Sequence, residues 1–355
     1  MTSHRFILSM PIALSALFGL PAPAAMADDS PSVIVSFTPI HSLTASVMEG
    51  VGKPELLVPP SASPHDFALR PSQAGAMQDA DLIIRIGPDL ERFLDKPIAS
   101  LGANAKVLEL MEAEGVEHLP TRHAGLFDEE DDDDHGDHDK HAHDDHEKGH
   151  DHGEEHAHEE ADHHDSTEET GHHDHHHGPE DPHVWLDPDN AKAMVNAIEQ
   201  SLAEVDPDHA ERYRENAEAT LRSIDEMSER VDATLKPVKG KSFVAFHDAL
   251  QYFEHAFELK SLGSLTMSPE IAPGARRLTE LNEKMSAEGV SCILVEPQFS
   301  PKLSQTLANE TGARIAELDP AGSNVEPGPG AYEAAMIANA EALAGCLSGD
   351  SSAEN

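Results

Sequence analysis

The chain has 355 residues, enough for two ordinary domains, and 67 acidic against 24 basic residues give a formal net charge of −43. Such a surface repels nucleic acid and anionic membranes, which makes both poor partners. Its many carboxylates and imidazoles favour cations instead. At the N-terminus, Arg5, an apolar run over residues 6–20 and the small-x-small triplet Ala25-Met26-Ala27 read as a signal peptide over residues 1–27. The run is short for a membrane span, so the mature chain is expected to start near Asp28 in the periplasm.

An N-terminal lobe is expected over residues 28–206. Strand-like runs at 32–37, 55–58, 81–86 and 106–110 alternate with helical patterns, the first of them amphipathic through Leu43, Val47 and Val51. This alternation predicts a parallel sheet covered by helices on both faces. The lobe is interrupted at 128–177, where 22 acidic residues stand against Lys140 and Lys148 and most of the chain's histidines are found. With no large apolar side chain and dense like charge, this stretch is expected to be a disordered loop. Its histidine spacings vary, which suits weak, multiple metal binding. A role in concentrating a metal cation, sensing its excess or accepting metal from other proteins is one reading, and a tolerated insertion is the other.

Residues 207–235 form a helical pattern with no glycine or proline between about 209 and 235, long enough to span ~40 Å. It reads either as a rigid strut between two lobes or as a surface helix of one. Residues 236–347 repeat the α/β grammar with strands expected at 242–246, 258–262, 290–295 and 313–318 and a helix over Lys302–Thr311, and 348–355 form a tail. The fold class is therefore α/β, two lobes of small parallel sheets joined by one long helix. The two cysteines, Cys292 and Cys346, are either a disulfide closing a 54-residue separation or two buried thiols. Neither lies near the cleavage site, so no lipid anchor is expected there.

Three histidines lie outside the low-complexity stretch in distinctive settings. His65 sits in the proline-punctuated loop PPSASPHDFALRPSQ, His183 in EDPHVWLDPDNA, and His247 directly after the strand SFVAF. His65, His247 and Asp319, which ends ARIAELD, belong to the carboxyl edges of strands, where open parallel sheets gather their ligands. Singly, each reads as a surface residue or helix cap, and Asp66 and Asp248 as caps or acceptors beside a histidine. As a set, three neutral imidazoles plus a carboxylate or water suit tetrahedral zinc. Manganese asks for more oxygen and copper(I) for sulfur.

The order of HDFALRPSQ, the acidic His-rich insertion, DPHVWLDP, the long helix, FHDALQYFE, SPEIAPGARRL and the final ELDP resembles the substrate-binding proteins of bacterial zinc-uptake ABC transporters. The resemblance implies His65, His183 and His247 as metal ligands and Asp319 as a ligand or neighbour. An imidazole at His247, where manganese and iron members usually carry a carboxylate, favours zinc. Pro64 stands where some zinc members carry a contacting Glu, which leaves the fourth position to Asp319 or water. The resemblance also implies a Cys292–Cys346 disulfide. It further implies a monomer that delivers Zn²⁺ to an inner-membrane permease with its cytoplasmic ATPase, with a periplasmic zinc chaperone as a further candidate partner. The competing readings are Mn²⁺ or Fe²⁺ uptake, a zinc hydrolase, for which no GxSxG run is present and whose HExxH pattern occurs only as HEKGH at 146–150 inside the low-complexity stretch, and a stand-alone metal buffer.

Overall fold

The computed structural model describes residues 30–102, 104–122, 180–269 and 271–349. The signal segment and the His-rich stretch 128–177 lie outside these residues. The β-branched run at Val33 starts a sheet built from β1 (Val33–Val35), β2 (Glu55–Leu56), β3 (Leu82–Arg85) and β4 (Lys106–Glu109), all parallel and ordered β2-β1-β3-β4. Helices α1 (Thr38–Val47), α2 (Pro71–Gln78) and α3 (Asp95–Leu101) provide its crossovers, and α4 (Pro188–Val205) packs onto it as well. The second sheet repeats the plan as β6-β5-β7-β8, from β5 (Ser242–His247), β6 (Lys260–Thr266), β7 (Cys292–Val295) and β8 (Arg314–Glu317), again all parallel. Its crossover helices are α6 (Gln251–Phe257), α7 (Ala275–Glu288) and α8 (Lys302–Thr311), with α9 (Ala331–Ser348) closing the chain.

Alternation along the strands decides how the lobes join. Val33 and Val35 of β1, Leu82 and Ile84 of β3, Phe243 and Ala245 of β5, and Cys292 and Leu294 of β7 all enter one continuous core. The residues between them, Ile34 and Ile83 on one sheet and Val244 and Ile293 on the other, face away into two separate clusters. A period of two thus gives each sheet one private face and one face shared with the other lobe.

The long helix α5 (Ala210–Leu235) runs through the shared core. Its buried positions Tyr213, Ala217, Thr220, Ile224, Met227, Val231 and Leu235 advance by three or four residues, the spacing of one helical face. That face packs on α1 and α4 of the first lobe and on α9 of the second. The helix therefore belongs to both lobes, which supports the strut reading.

One strand differs from the expectation. The run 258–262 was expected to be the strand, but Glu258 adopts the left-handed conformation (φ 53°) that closes α6, and β6 starts at Lys260. It then continues to Thr266 through Gly263, which reads as a breaker in sequence. Here Gly263 takes φ 154° where the register with β5 shifts, a backbone freedom that allows the irregularity without ending the strand.

Cys292 of β7 and Cys346 of α9 are joined in a disulfide with a Cα–Cα distance of 5.7 Å. The bridge fastens the last helix to the second sheet. Replacing both cysteines with alanine should lower unfolding stability by about 4 kcal/mol, the chain-entropy value for a loop of this length. Denaturant titration of the oxidised protein against the double variant measures it.

Candidate metal centre

The segment EDPHVWLDPDN folds as two consecutive caps. Asp181 accepts from the backbone N–H of His183 at 3.0 Å and, through the same Oδ1, meets the His183 Nδ1 at 2.6 Å. A short 3-10 turn over Val184–Leu186 follows, and Asp187 then caps α4 by accepting from the N–H groups of Asp189 and Asn190, with Pro188 in the first turn. Trp185 is buried inside this turn. Its indole Nε1 donates to the Pro320 carbonyl at 2.9 Å, and its own carbonyl accepts from the Tyr332 hydroxyl at 2.9 Å. The piece of chain that carries His183 is thus fixed to the second lobe as well as the first.

His247 is the last residue of β5 and is buried. Its Nδ1 meets Glu296 Oε1 at 2.5 Å, and Glu296 is itself buried at the carboxyl end of the neighbouring strand β7. His65 projects from the loop between β2 and α2, which Pro59, Pro60 and Pro64 restrict in conformation. The His65 N–H donates to the Ser63 hydroxyl at 3.2 Å, and Gln73 of α2 donates to the Leu57 carbonyl at the end of β2. One strand end, one proline-restricted loop and one capped turn therefore bring three imidazoles together.

Their Nε2 atoms stand 3.2 Å apart between His65 and His183 and 3.4 Å apart between His183 and His247. All three ligand atoms lie within 4.8 Å of one another. With Zn–N bonds of about 2.0–2.1 Å, the edge of a tetrahedron is about 3.4 Å, so the spacing fits one zinc ion. The carboxylates of Asp181 and Glu296 favour the ring proton on Nδ1, so that in the neutral rings Nε2 of His183 and His247 turns a lone pair toward the centre. The cavity at the centre has a volume of about 20 Å³, room for about one water-sized guest, and Trp185, Phe299, Pro320 and Ala321 line it alongside the histidines.

The electrostatics separate the imidazoles. Burial, reinforced by the neighbouring His183 and His247, lowers the His65 pKa to about 2. Burial also acts to lower that of His247, but the charge and hydrogen bond of Glu296, together with Asp248 and Asp181, outweigh it and raise the group above an ordinary imidazole. Burial keeps His65 neutral, whereas the charge of Glu296 favours the protonated ring of His247, which must release its Nε2 proton before that nitrogen can bind a metal.

Asp319 does not join the three histidines. It lies two residues beyond β8, buried, with Oδ1 accepting from Gln298 Nε2 at 3.2 Å and Oδ2 from the Asn324 N–H at 2.7 Å. Its backbone is held by Asn339 from both sides. Both oxygens are committed to fixing the turn after β8. Asp66 is exposed, and Asp248 faces Arg122. Sequence reading missed Asp181 and Glu296. The signal for Asp181 was its place two residues before His183, the spacing that lets a carboxylate reach back to a ring and a backbone N–H together. Glu296 offered only its place just beyond the strand CILV, a carboxylate at the same sheet edge as His247.

Two similar parallel lobes with a bare three-imidazole centre in the cleft between them define a binding protein for a single metal ion. The chain matches the family model described as ZnuA, zinc-uptake complex component A, periplasmic, over residues 33–346, and belongs to that family. It is 43% identical over 327 residues to the high-affinity zinc uptake system protein ZnuA of Brucella suis biovar 1, covering 92% of this chain and 94% of that one. The protein of the same name from Paracoccus denitrificans is 35% identical over 340 residues, covering 96% and 98%. Among solved structures, one described as a crystal structure of ZnuA matches with a TM-score of 0.67 at 21% identity, covering 90% of this chain and 100% of that one. FpvC from Pseudomonas aeruginosa in complex with Mn²⁺ also matches with a TM-score of 0.67, at 17% identity, covering 90% and 99%.

Replacing Glu296 with glutamine should lower the His247 pKa, because it removes the charge that holds the proton. Zinc affinity of the wild type should rise with pH until His247 is deprotonated, above the ordinary imidazole value. In the Glu296→Gln variant that rise should be complete at a lower pH, with weaker binding on the alkaline plateau. Chelator-competition titrations between pH 5.5 and 8.5 on both proteins measure the shift.

Proposed function

We propose that the chain captures Zn²⁺ in the periplasm through His65, His183 and His247, with water as the fourth ligand, and hands it to an inner-membrane ABC permease and its ATPase. The observation that carries this reading is the Nε2 spacing of 3.2 and 3.4 Å, the edge length of a zinc tetrahedron. Water takes the fourth place because Asp319 is engaged by Gln298 and Asn324, and the small cavity admits little else. An all-imidazole set with no free carboxylate also disfavours Mn²⁺ relative to Zn²⁺.

The same geometry speaks against catalysis. A zinc hydrolase needs a general base beside the bound water and a pocket for substrate. Asp181 and Glu296, the carboxylates that touch the ligand rings, are both engaged with imidazole Nδ1 atoms and are not free to act as that base. We read residues 1–27 as a signal peptide cleaved near Ala27, 28–206 and 236–347 as the two lobes with 207–235 linking them, and the mature protein as a monomer. A periplasmic chaperone that supplies zinc remains a candidate partner on the strength of the His-rich stretch.

Competition titration of metal-depleted mature protein should give one tight site that prefers Zn²⁺ to Mn²⁺ by about 10² or more, as the Irving–Williams order and the nitrogen donors require. Equal affinities would sink the zinc assignment. His247→Ala should abolish the tight site. Asp319→Asn should leave it within a few-fold of wild type, and loss of tight binding there would return Asp319 to the ligand set.

A further inference from the structure

Beside the metal centre lies a second cavity of about 160 Å³, on whose wall His65 and His183 meet Asp181, Arg122 and Asp248. Arg122 is the structural centre of this wall. Its Nε donates to Asp248 Oδ2 at 3.1 Å and its Nη2 to Asp248 Oδ1, a two-point grip on that carboxylate. Its Nη1 donates to Glu254 Oε2 at 2.9 Å, and Nη2 also reaches Glu254 Oε1 at 3.2 Å. The side chains of Asp248 and Glu254 are only 4% and 9% exposed, and that of Arg122 is 18% exposed. This is a desolvated ion cluster that joins residues more than 120 positions apart in sequence.

The partners of each residue close a mechanical circuit around the site. Asp248 directly follows His247, in a turn tightened by the Ala249 N–H donating to the His247 carbonyl at 2.9 Å. Arg122 ends the segment Leu119–Arg122, and the Leu119 carbonyl accepts from the Asp181 N–H at 2.9 Å. Asp181 in turn holds the His183 ring. The Tyr252 hydroxyl adds a second link, accepting from the Leu119 N–H at 2.8 Å and donating to the Asp181 carbonyl at 3.1 Å. One chain of contacts therefore runs from His183 through Asp181 and Leu119 to Arg122, then through Asp248 to His247. Its ends are the ligand of one lobe and the ligand of the other.

We propose that Arg122 is a positioning residue for metal retention: by gripping Asp248 it fixes the spacing of His247 against His183 across the cleft and so sets how slowly the ion leaves. This rests on the three-histidine reading above. A planar guanidinium suits the task because its fork holds the Asp248 carboxylate at two points, which a lysine ammonium cannot reproduce. Loosening the grip widens one edge of the tetrahedron without removing a ligand. Its effect falls on dissociation, since the encounter of Zn²⁺ with an open cleft does not depend on it.

The test is a chelator chase of the zinc-loaded mature protein by stopped flow. The slowest phase is assigned to the three-histidine site by its absence in His183→Ala. Arg122→Gln should speed that phase by about ten-fold or more, in keeping with the effect of truncating one partner of a buried pair, while the association rate moves by less than about three-fold. Arg122→Lys, which keeps the charge and is the safer variant for folding, should fall between the two. Glu254→Gln, which leaves the grip on Asp248 in place, should lower the melting temperature yet keep the slow phase within about two-fold of wild type. The proposal is overturned if folded Arg122→Gln or Arg122→Lys releases zinc at the wild-type rate. It is equally overturned if Glu254→Gln speeds release as much as Arg122→Gln, because general loosening of the second lobe would then account for both. A wild type with no slow phase sensitive to His183→Ala would defeat the three-histidine reading instead.

Discussion

Three imidazole nitrogens can bind one metal ion only if none of them carries a proton there, and the rest of the site follows from that requirement. Nε2 atoms at 3.2 and 3.4 Å would repel as imidazolium ions, so two of the rings have their remaining proton held on the far nitrogen by Asp181 and Glu296. The two carboxylates also bring two negative charges close to the centre. A divalent cation on three neutral rings then meets a nearby charge of equal size and opposite sign, which matters in a buried cleft far more than at the surface. The long-range bonds of Trp185 to Pro320 and Tyr332 keep the turn that carries one of these pairs in register with the second lobe.

That register depends on the shared core. Each sheet gives one face to a common interior, and α5 runs through it with one apolar stripe against both lobes. Opening the cleft by a large hinge would expose part of this interior, at about 25 cal/mol for each Å² of apolar surface. Small rotations that leave the core closed are the inexpensive motions.

Much of this was legible in the sequence, and the parts that were not share a cause. The eight strands could be read from short β-branched runs, and Lys302–Thr311 and the long helix from their helical patterns, because period and turn residues are local properties. His65, His183 and His247 stood apart because their surroundings, proline-bounded loops and a strand end, differ from the repetitive stretch at 128–177. Asp319 looked equivalent to His247 because both follow strands, yet Gln298 and Asn324 claim its oxygens, and nothing local announces either partner. Glu296 and Arg122 were silent for the same reason. Their partners lie 49 and 126 residues away, and only the fold brings them together. The start of β6 was misplaced because a non-glycine residue, Glu258, takes a left-handed cap that sequence seldom assigns to glutamate.

The antiparallel bridge between Pro120 and Glu180 carries a consequence for the length of the insertion. It joins the chain on the two sides of the insertion, and Leu119 and Asp181 are bonded immediately behind it. Whatever length of chain lies beyond that clasp, the positions of Asp181 and His183 are set on the near side of it. Closing a loop twice as long adds only about 0.6 kcal/mol. A change in the length of the insertion therefore costs little in loop closure, and the clasp keeps that cost away from the turn that carries His183.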